Sequence, residues 1–343
     1  MNRVIKEWRD VIVMKFYETH FEEYVAETRR INLHPKLDKV YTTAFPTLLK
    51  DFKNVIFYGP SGTGKYSQML HAIQRYSPTE LKYERKICVS YNKQAYYFKV
   101  SDIHYEVDIA LMGCNSKLLW HEIYQQIVDV ISAKADKSGI IVCKYFHEIH
   151  SELLDNFYSY MQQNASLNVD IKFVLITEEL SFINDNILNC CEVIHVSRPT
   201  KTAYAKCMKT KLPTKMTTDT ITNMKMLKIE HPTPRAFYDE DLMLRYRIIC
   251  DKIVHNMVHV NDLKFLAFRD ALYDTFTYNL DISQCIWYVL STLVKQKHIK
   301  KEQLTDVLIK TYGFFQYYNN NYRPIYHVEN YYLYLTKLIH SFP

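Results

Sequence analysis

Glycine is scarce: 6 of 343 residues, where about 7% is usual. That excludes glycine-rich linkers and collagen-like repeats, and it makes the position of each glycine informative. Long apolar runs are also missing. None approaches the ~18 residues that span a bilayer, so no membrane is expected among the partners. The opening stretch from Met1 to Asp10 is charged throughout and has no signal-peptide core, so the chain is read as intracellular. The eight cysteines form no C-x-x-C pair and have no histidine companion at zinc-finger spacing. Metal-ribbon classes are thereby disfavoured, and buried free thiols are expected. Internal repeats and low-complexity segments are absent. Charge of one sign does not dominate either: the net charge of +6 is compatible with a polyanionic partner without demanding one.

What is present is an ordinary globular composition, 48% hydrophobic and 23% charged, with an unusual 29 tyrosines. A disordered chain would be poorer in apolar residues, and this length suits two or three domains.

Three of the six glycines, Gly59, Gly62 and Gly64, lie close together in Asn54-Val55-Ile56-Phe57-Tyr58-Gly59-Pro60-Ser61-Gly62-Thr63-Gly64-Lys65. The apolar run before Gly59 reads as a buried strand, and Met69, Leu70 and Ile73 recur at helical spacing after Lys65. Strand, glycine loop and helix together are the context of a phosphate-binding loop. Glycines let backbone N–H groups converge on phosphates, the helix start adds its positive end, and Lys65 supplies a point charge. The candidate nucleotide-binding residues are Gly59, Pro60, Ser61, Gly62, Thr63, Gly64, Lys65 and Tyr66, for ATP or ADP. Tyr66 stands where such loops carry Ser or Thr to ligate Mg²⁺. A phenol is a poor replacement, and Ser67 is expected to point elsewhere, so the presence of Mg²⁺ is left open.

A hydrolysing site also needs carboxylates at the end of a neighbouring strand. The candidate strand Gly139-Ile140-Ile141-Val142-Cys143 is followed by Lys144 and Tyr145, and the nearest acid, Glu148, falls at a helix entry. Phe173 to Ile176 reads as another strand, ending in Thr177-Glu178-Glu179, and Ile187 to Val196 as a further one. Strands alternating with helical stretches predict an α/β sheet. No catalytic residue and no metal ligand is assigned.

These residues resemble the replication factor C family of AAA+ sliding-clamp loaders, the small subunits above all, and among those the degenerate third one. The matching stretches are Phe57 to Lys65, Tyr105-Glu106-Val107-Asp108 on to Ile127, Ile140 to Met161, and Ile187 to Thr200. A second likeness, to the collar by which such subunits assemble, covers Phe268 to Tyr273 and Ile325 to Tyr331. In that lineage the residue after the loop lysine is commonly neither Ser nor Thr. The resemblance implies an AAA+ P-loop domain with a parallel sheet over 1–200, an abbreviated helical lid over 201–238, and an all-α collar over 239–343. It also implies a hetero-pentamer with other clamp-loader subunits, a PCNA-type sliding clamp and primer–template DNA as partners. Arg235 would be the lid's nucleotide sensor. By the same likeness the arginine that reaches a neighbour's site is replaced by Cys190, the acidic strand end by Lys144 and Tyr145, and the sensor asparagine by Glu178. Such a subunit would bind ATP, turn it over poorly or not at all, and trigger no hydrolysis next door.

Beyond the sheet, Phe265, Phe268, Leu272 and Phe276, then Ile286, Val289, Leu290 and Leu293, then Leu304, Val307, Leu308 and Tyr312, and last Val328, Tyr331, Tyr332 and Leu335 make helical stripes. They serve as core or interface. The tyrosines of 317–334 fit a subunit contact or the bundle's own core equally well, and Asn319-Asn320-Asn321 reads as a loop. The lysines at 201, 206, 209, 211 and 215 fit a solvated face better than a DNA track. Two other functions stay open: an autonomous P-loop ATPase or nucleoside kinase, and a scaffold that binds no nucleotide. The Tyr-, Lys- and Asn-leaning usage suits an AT-rich genome such as a large DNA virus. The expected location is a nucleus or a viral replication site.

Overall fold

The computed structural model describes residues 18–91, 94–162, 169–208, 245–260, 265–318 and 323–341. Two helices, α1 (Phe21–Arg30) and α2 (Leu37–Ala44), precede β1 (Asn54–Tyr58) and α3 (Lys65–Ile73). A hairpin of β2 (Arg85–Tyr91) and β3 (Gln94–Val100) leads to β4 (His104–Asp108) and α4 (Ser116–Ser132). Then come β5 (Ser138–Lys144), α5 (Ser151–Gln162), β6 (Asp170–Thr177), α6 (Asp185–Asn189), β7 (Cys191–His195) and α7 (Lys201–Met208).

The seven strands form one sheet in the order β2-β3-β4-β5-β6-β1-β7. From β4 to β7 all neighbours run parallel, while β2 and β3 add an antiparallel edge. Parallel strands need crossovers, which place helices on both faces, so such strands are buried on both sides. β1 shows this: Val55, Ile56 and Phe57 are each 0% exposed. Successive side chains alternate faces. Ile56, Ile141, Cys143, Phe173 and Leu175 join the core under α4 and α5, built around Trp120 and Phe157. Val55, Phe57, Ile140, Val142, Val174 and Ile176 join the opposite core, with Phe21, Tyr41, Met69 and Ile73.

The remaining described helices are α8 (Arg245–Val258), α9 (Phe265–Thr277), α10 (Ile282–Lys295), α11 (Leu304–Tyr318) and α12 (Pro324–His340). They share a separate core of Ile253, Met257, Phe268, Leu272, Ile286, Val289, Leu293, Val328, Tyr331, Tyr332 and Leu335. The expected α/β sheet with a phosphate-loop motif, followed by an all-α region, is the fold class observed. Of 201–238, where a lid is expected, only residues 201–208 are described, and they form α7; the lysines at 209, 211 and 215, Arg235 and the loop Asn319-Asn320-Asn321 lie outside the described residues.

Two expectations need correction. Ile187 to Val196 is not a single strand: α6 occupies its first part, and only Cys191–His195 pairs with β1. Asn184 accounts for the break. Its carbonyl accepts from the N–H groups of Ile187 and Leu188, closing a helical turn that buries Ile187. The stripe on α11 also differs. Val307 is buried, but Leu308 and Tyr312 face outward, and Thr311 and Phe315 take their place inside. The tyrosines divide: Tyr331 and Tyr332 are core residues, whereas Tyr317 and Tyr326 are exposed.

Candidate nucleotide site

The loop 59–64 joins β1 to α3 at the edge of the parallel strands, and its backbone demands glycine at specific places. A Cβ on Gly59 would lie 2.2 Å from the Val196 carbonyl oxygen. Gly62 (φ 69°) and Gly64 (φ 91°) adopt left-handed conformations that side chains disfavour. Gly64 is the residue before α3, and it offers no side-chain cap to the helix start. The first N–H groups of α3 are therefore free of a capping side chain and face the loop. The Thr63 hydroxyl donates to the Pro60 carbonyl (3.0 Å) and tightens the turn. From outside, the ring of His34 clamps the loop through Nε2 and the Thr63 carbonyl (2.7 Å). Burial holds the His34 pKa below the ordinary value, although the Thr63 contact opposes this.

Lys65 lies across the loop. Its Nζ donates to the carbonyls of Gly59 (2.6 Å) and Pro60 (2.8 Å) and is 3.6 Å from Glu178 Oε1. Desolvation lowers its pKa, and the Glu178 carboxylate pulls it back up. A cavity of about 500 Å³ opens here, bordered by Ser61 to Ser67, by Glu106, Asp108 and Lys144 from the strand ends, and by His147 and Glu178. Ser67, expected to point elsewhere, borders this cavity. Glu148 does not; it sits in the turn after β5 and is mostly exposed beside His147.

The position after the loop lysine is occupied in an unexpected way. The Tyr66 hydroxyl donates to Glu106 Oε1 at 2.7 Å, and its ring packs edge-on against Tyr24 with centroids 5.0 Å apart. Glu106 is buried. The His104 ring stands 3.3 Å away, held in turn by Ser101, and Lys144 Nζ is 3.4 Å from Oε2. Burial alone would raise the Glu106 pKa. His104, Lys144 and Tyr66 together outweigh it and keep this group below the ordinary glutamate value. Lys144 also reaches Asp108 Oδ2 at 4.0 Å and lies 5.7 Å above the Tyr66 ring. Asp108, half-buried, has its pKa raised by desolvation, with Lys144 opposing.

Mg²⁺ does not fit this donor set. The only hydroxyl at the position after Lys65 is a phenol already committed to Glu106. The strand end that should present a carboxylate presents an ammonium, which lies 3.4 Å from Glu106 and 4.0 Å from Asp108, the two acids of β4. Among the described residues no group of three or more His, Cys, Asp or Glu side chains is placed to hold a metal.

The structure thus brings the residues from Gly59 to Tyr66 together with Lys144 and Glu178. It leaves Cys190 apart, half-buried, with its thiol donating to the Ile187 carbonyl. Glu106, Asp108 and His34 went unassigned from sequence. For β4 a signal existed: His104, Glu106 and Asp108 are polar at every second position of a strand whose other residues, Tyr105 and Val107, are core. That alternation marks a polar cluster on one face.

No protein-family model matches the sequence, and no curated protein does. Several solved structures are similar at low identity. A HORMA–CdnC–Trip13 complex from E. coli MS115-1 matches at 13% identity over 71% of this chain and 87% of that one, with a TM-score of 0.39. AMPPCP-bound DnaA from Aquifex aeolicus matches at 13% identity over 82% and 93%, with a TM-score of 0.35. The RuvB Holliday junction branch migration motor from Thermotoga maritima matches at 13% over 72% and 70%, with a TM-score of 0.32. Strand order and loop geometry define this chain as an α/β protein with a P-loop and an all-α C-terminal region. No described helix is long and apolar enough to cross a membrane.

Proposed function

We propose that the chain is a nucleotide-binding subunit of a clamp-loader-type AAA+ assembly, one that holds ATP or ADP and does not hydrolyse it. One observation carries this reading: an intact phosphate loop, with Gly59, Gly62 and Gly64 in their required conformations, stands beside a strand end where Lys144 replaces the hydrolytic carboxylate. Residues 59–66 bind the phosphates, and Arg235 remains the proposed sensor from the lid. Residues 1–200, 201–238 and 239–343 act as nucleotide domain, lid and collar. The partners are the other subunits of a hetero-pentamer, a PCNA-type sliding clamp, and primer–template DNA contacted through its phosphates. In support, the helical region turns large apolar side chains outward: Trp287, Leu308, Ile309 and Tyr312 are 44–66% exposed, apolar area that a subunit contact would cover. The place of action is a nucleus or a viral replication site.

The test is a pair of measurements on the full chain. ATP binding is expected to fall about tenfold or more in Lys65→Ala, since charged hydrogen bonds are worth ~1.5–3 kcal/mol, and turnover by the wild type is expected to stay near background. Robust hydrolysis or phosphotransfer would favour an autonomous ATPase or nucleoside kinase. A second reading, a scaffold without nucleotide, has its own support: the Lys65 ammonium is already satisfied by two carbonyls and Glu178. No ATP binding by either protein would favour that reading, whereas equal binding by Lys65→Ala and wild type would show that the loop does not hold the nucleotide.

A further inference from the structure

We infer that this pocket takes its nucleoside polyphosphate free of Mg²⁺, with the Lys144 ammonium standing in for the metal as the second fixed cation beside Lys65. The inference rests on the nucleotide reading above and concerns how the phosphate charge is met.

The argument begins with Tyr66. A P-loop gives Mg²⁺ a hydroxyl at this position and a carboxylate from the adjacent strand end. Here the hydroxyl proton is spent on Glu106. A divalent cation arriving with its phosphates would compete with the phenol for Glu106 Oε1 and with the ammonium for Glu106 Oε2 and Asp108 Oδ2.

Lys144 is well placed for the substitution. Its position at the end of β5, next to β6 and β4 in the sheet, is the position from which a metal-ligating acid would act. The ammonium borders the same cavity as Lys65 and Gly64. Glu106 and Asp108 hold it from below, at 3.4 and 4.0 Å, without saturating it, since an ammonium has three donors. Both acids leave an oxygen without a hydrogen-bond partner, Glu106 Oε2 and Asp108 Oδ1. The cation is therefore loosely tethered above two acids that fix its location, free to direct a donor at phosphate oxygens. It also lies over the Tyr66 ring, a contact that favours a cation at that height. The third lysine on the cavity, Lys99, is engaged by Glu84 (2.8 Å) and Glu18 (3.0 Å), which leaves Lys144 as the cation to complement Lys65.

The experiment is calorimetric titration of the full chain with ATP, in excess EDTA and in excess Mg²⁺, for the wild type and for Lys144→Gln and Lys144→Arg. The wild type is expected to bind ATP in EDTA within about threefold of its affinity in Mg²⁺. Lys144→Gln is expected to lose about tenfold or more in EDTA, and Lys144→Arg to keep most of the affinity. Thermal melting of each variant without nucleotide shows whether it folds, and the wild-type comparison needs no variant. A wild-type affinity that collapses more than about tenfold on adding EDTA would overturn the inference while leaving nucleotide binding intact. Undiminished binding by folded Lys144→Gln would do the same. No binding with or without Mg²⁺ would overturn the nucleotide reading and this inference together.

Discussion

At the scale of single residues, the phosphate loop depends on backbone room at Gly59 and on left-handed turns at Gly62 and Gly64. Gly59 is the most constrained. A methyl there meets the Val196 backbone carbonyl, which belongs to the chain leaving β7 and cannot rotate away. Gly59→Ala should therefore cost about 1–3 kcal/mol, the usual penalty for overpacking, and urea unfolding curves would show it as a lowered midpoint at unchanged slope. Glu106 escaped notice because its partners come from Tyr66, His104 and Lys144, which no local window unites. Removing one donor isolates its effect: Tyr66→Phe keeps the ring against Tyr24 yet leaves Glu106 Oε1 with only the longer His104 contact at 3.3 Å, for an expected loss of about 1–3 kcal/mol in the same assay. The pH dependence follows from the direction of the shift. Because Glu106 is held below its unfolded value, its contribution is complete above the ordinary glutamate range and disappears as pH falls through the lowered value. Acid titration of stability should show this loss in the wild type and a flatter profile in Glu106→Gln.

At the scale of elements, helical periodicity matches the faces that the packing uses. On α4 the residues Leu119, Trp120, Ile123, Tyr124, Ile127, Val128 and Ile131 form a stripe of helical spacing, and all of them are buried. Leu153, Leu154, Phe157 and Met161 do the same on α5. What periodicity could not show is how two stripes interlock. Phe157 meets Trp120, Phe146 and Phe173 with ring centroids 5.0–5.6 Å apart, joining α4, α5 and β6. Phe157→Ala should lose roughly 3–5 kcal/mol, since three rings would line the void, and thermal unfolding is the direct check. The errors were of the opposite kind. On α6 and β7, two short elements nearly back to back read as one run, because 5 residues apiece are too few for a period to separate helix from strand. On α11 the stripe is helical but splits between core and surface, since Val307 turns inward while Leu308 and Tyr312 are apolar yet exposed.

At the scale of the whole molecule, neighbouring residues at the end of β6 look in opposite directions. Glu178 approaches Lys65 in the phosphate loop, while Glu179 accepts a hydrogen bond from the Ser283 hydroxyl at the start of α10. Two carboxylates in sequence thus tie the nucleotide site to the helical region, a link invisible until residues about a hundred positions apart are placed together. Burial raises the Glu179 pKa above the ordinary glutamate value. The Ser283 hydrogen bond opposes this, and the carboxylates of Asp281, Glu178 and Glu148 reinforce it. A carboxyl whose folded pKa is raised favours the folded state when protonated. Its contribution is full below the unfolded value and is lost as pH rises through the raised one. At neutral pH the ionised Glu179 is consequently a cost. Glu179→Gln keeps an acceptor for Ser283 and removes the charge, so it should stabilise the protein at neutral pH by something on the order of 1 kcal/mol, with the advantage vanishing in mild acid. Glu179→Ala removes the acceptor as well and should increase hydrogen exchange at the first turn of α10. Melting temperatures of wild type and Glu179→Gln across the acid-to-neutral range separate the two effects, because only the loss of charge predicts a difference that grows with pH.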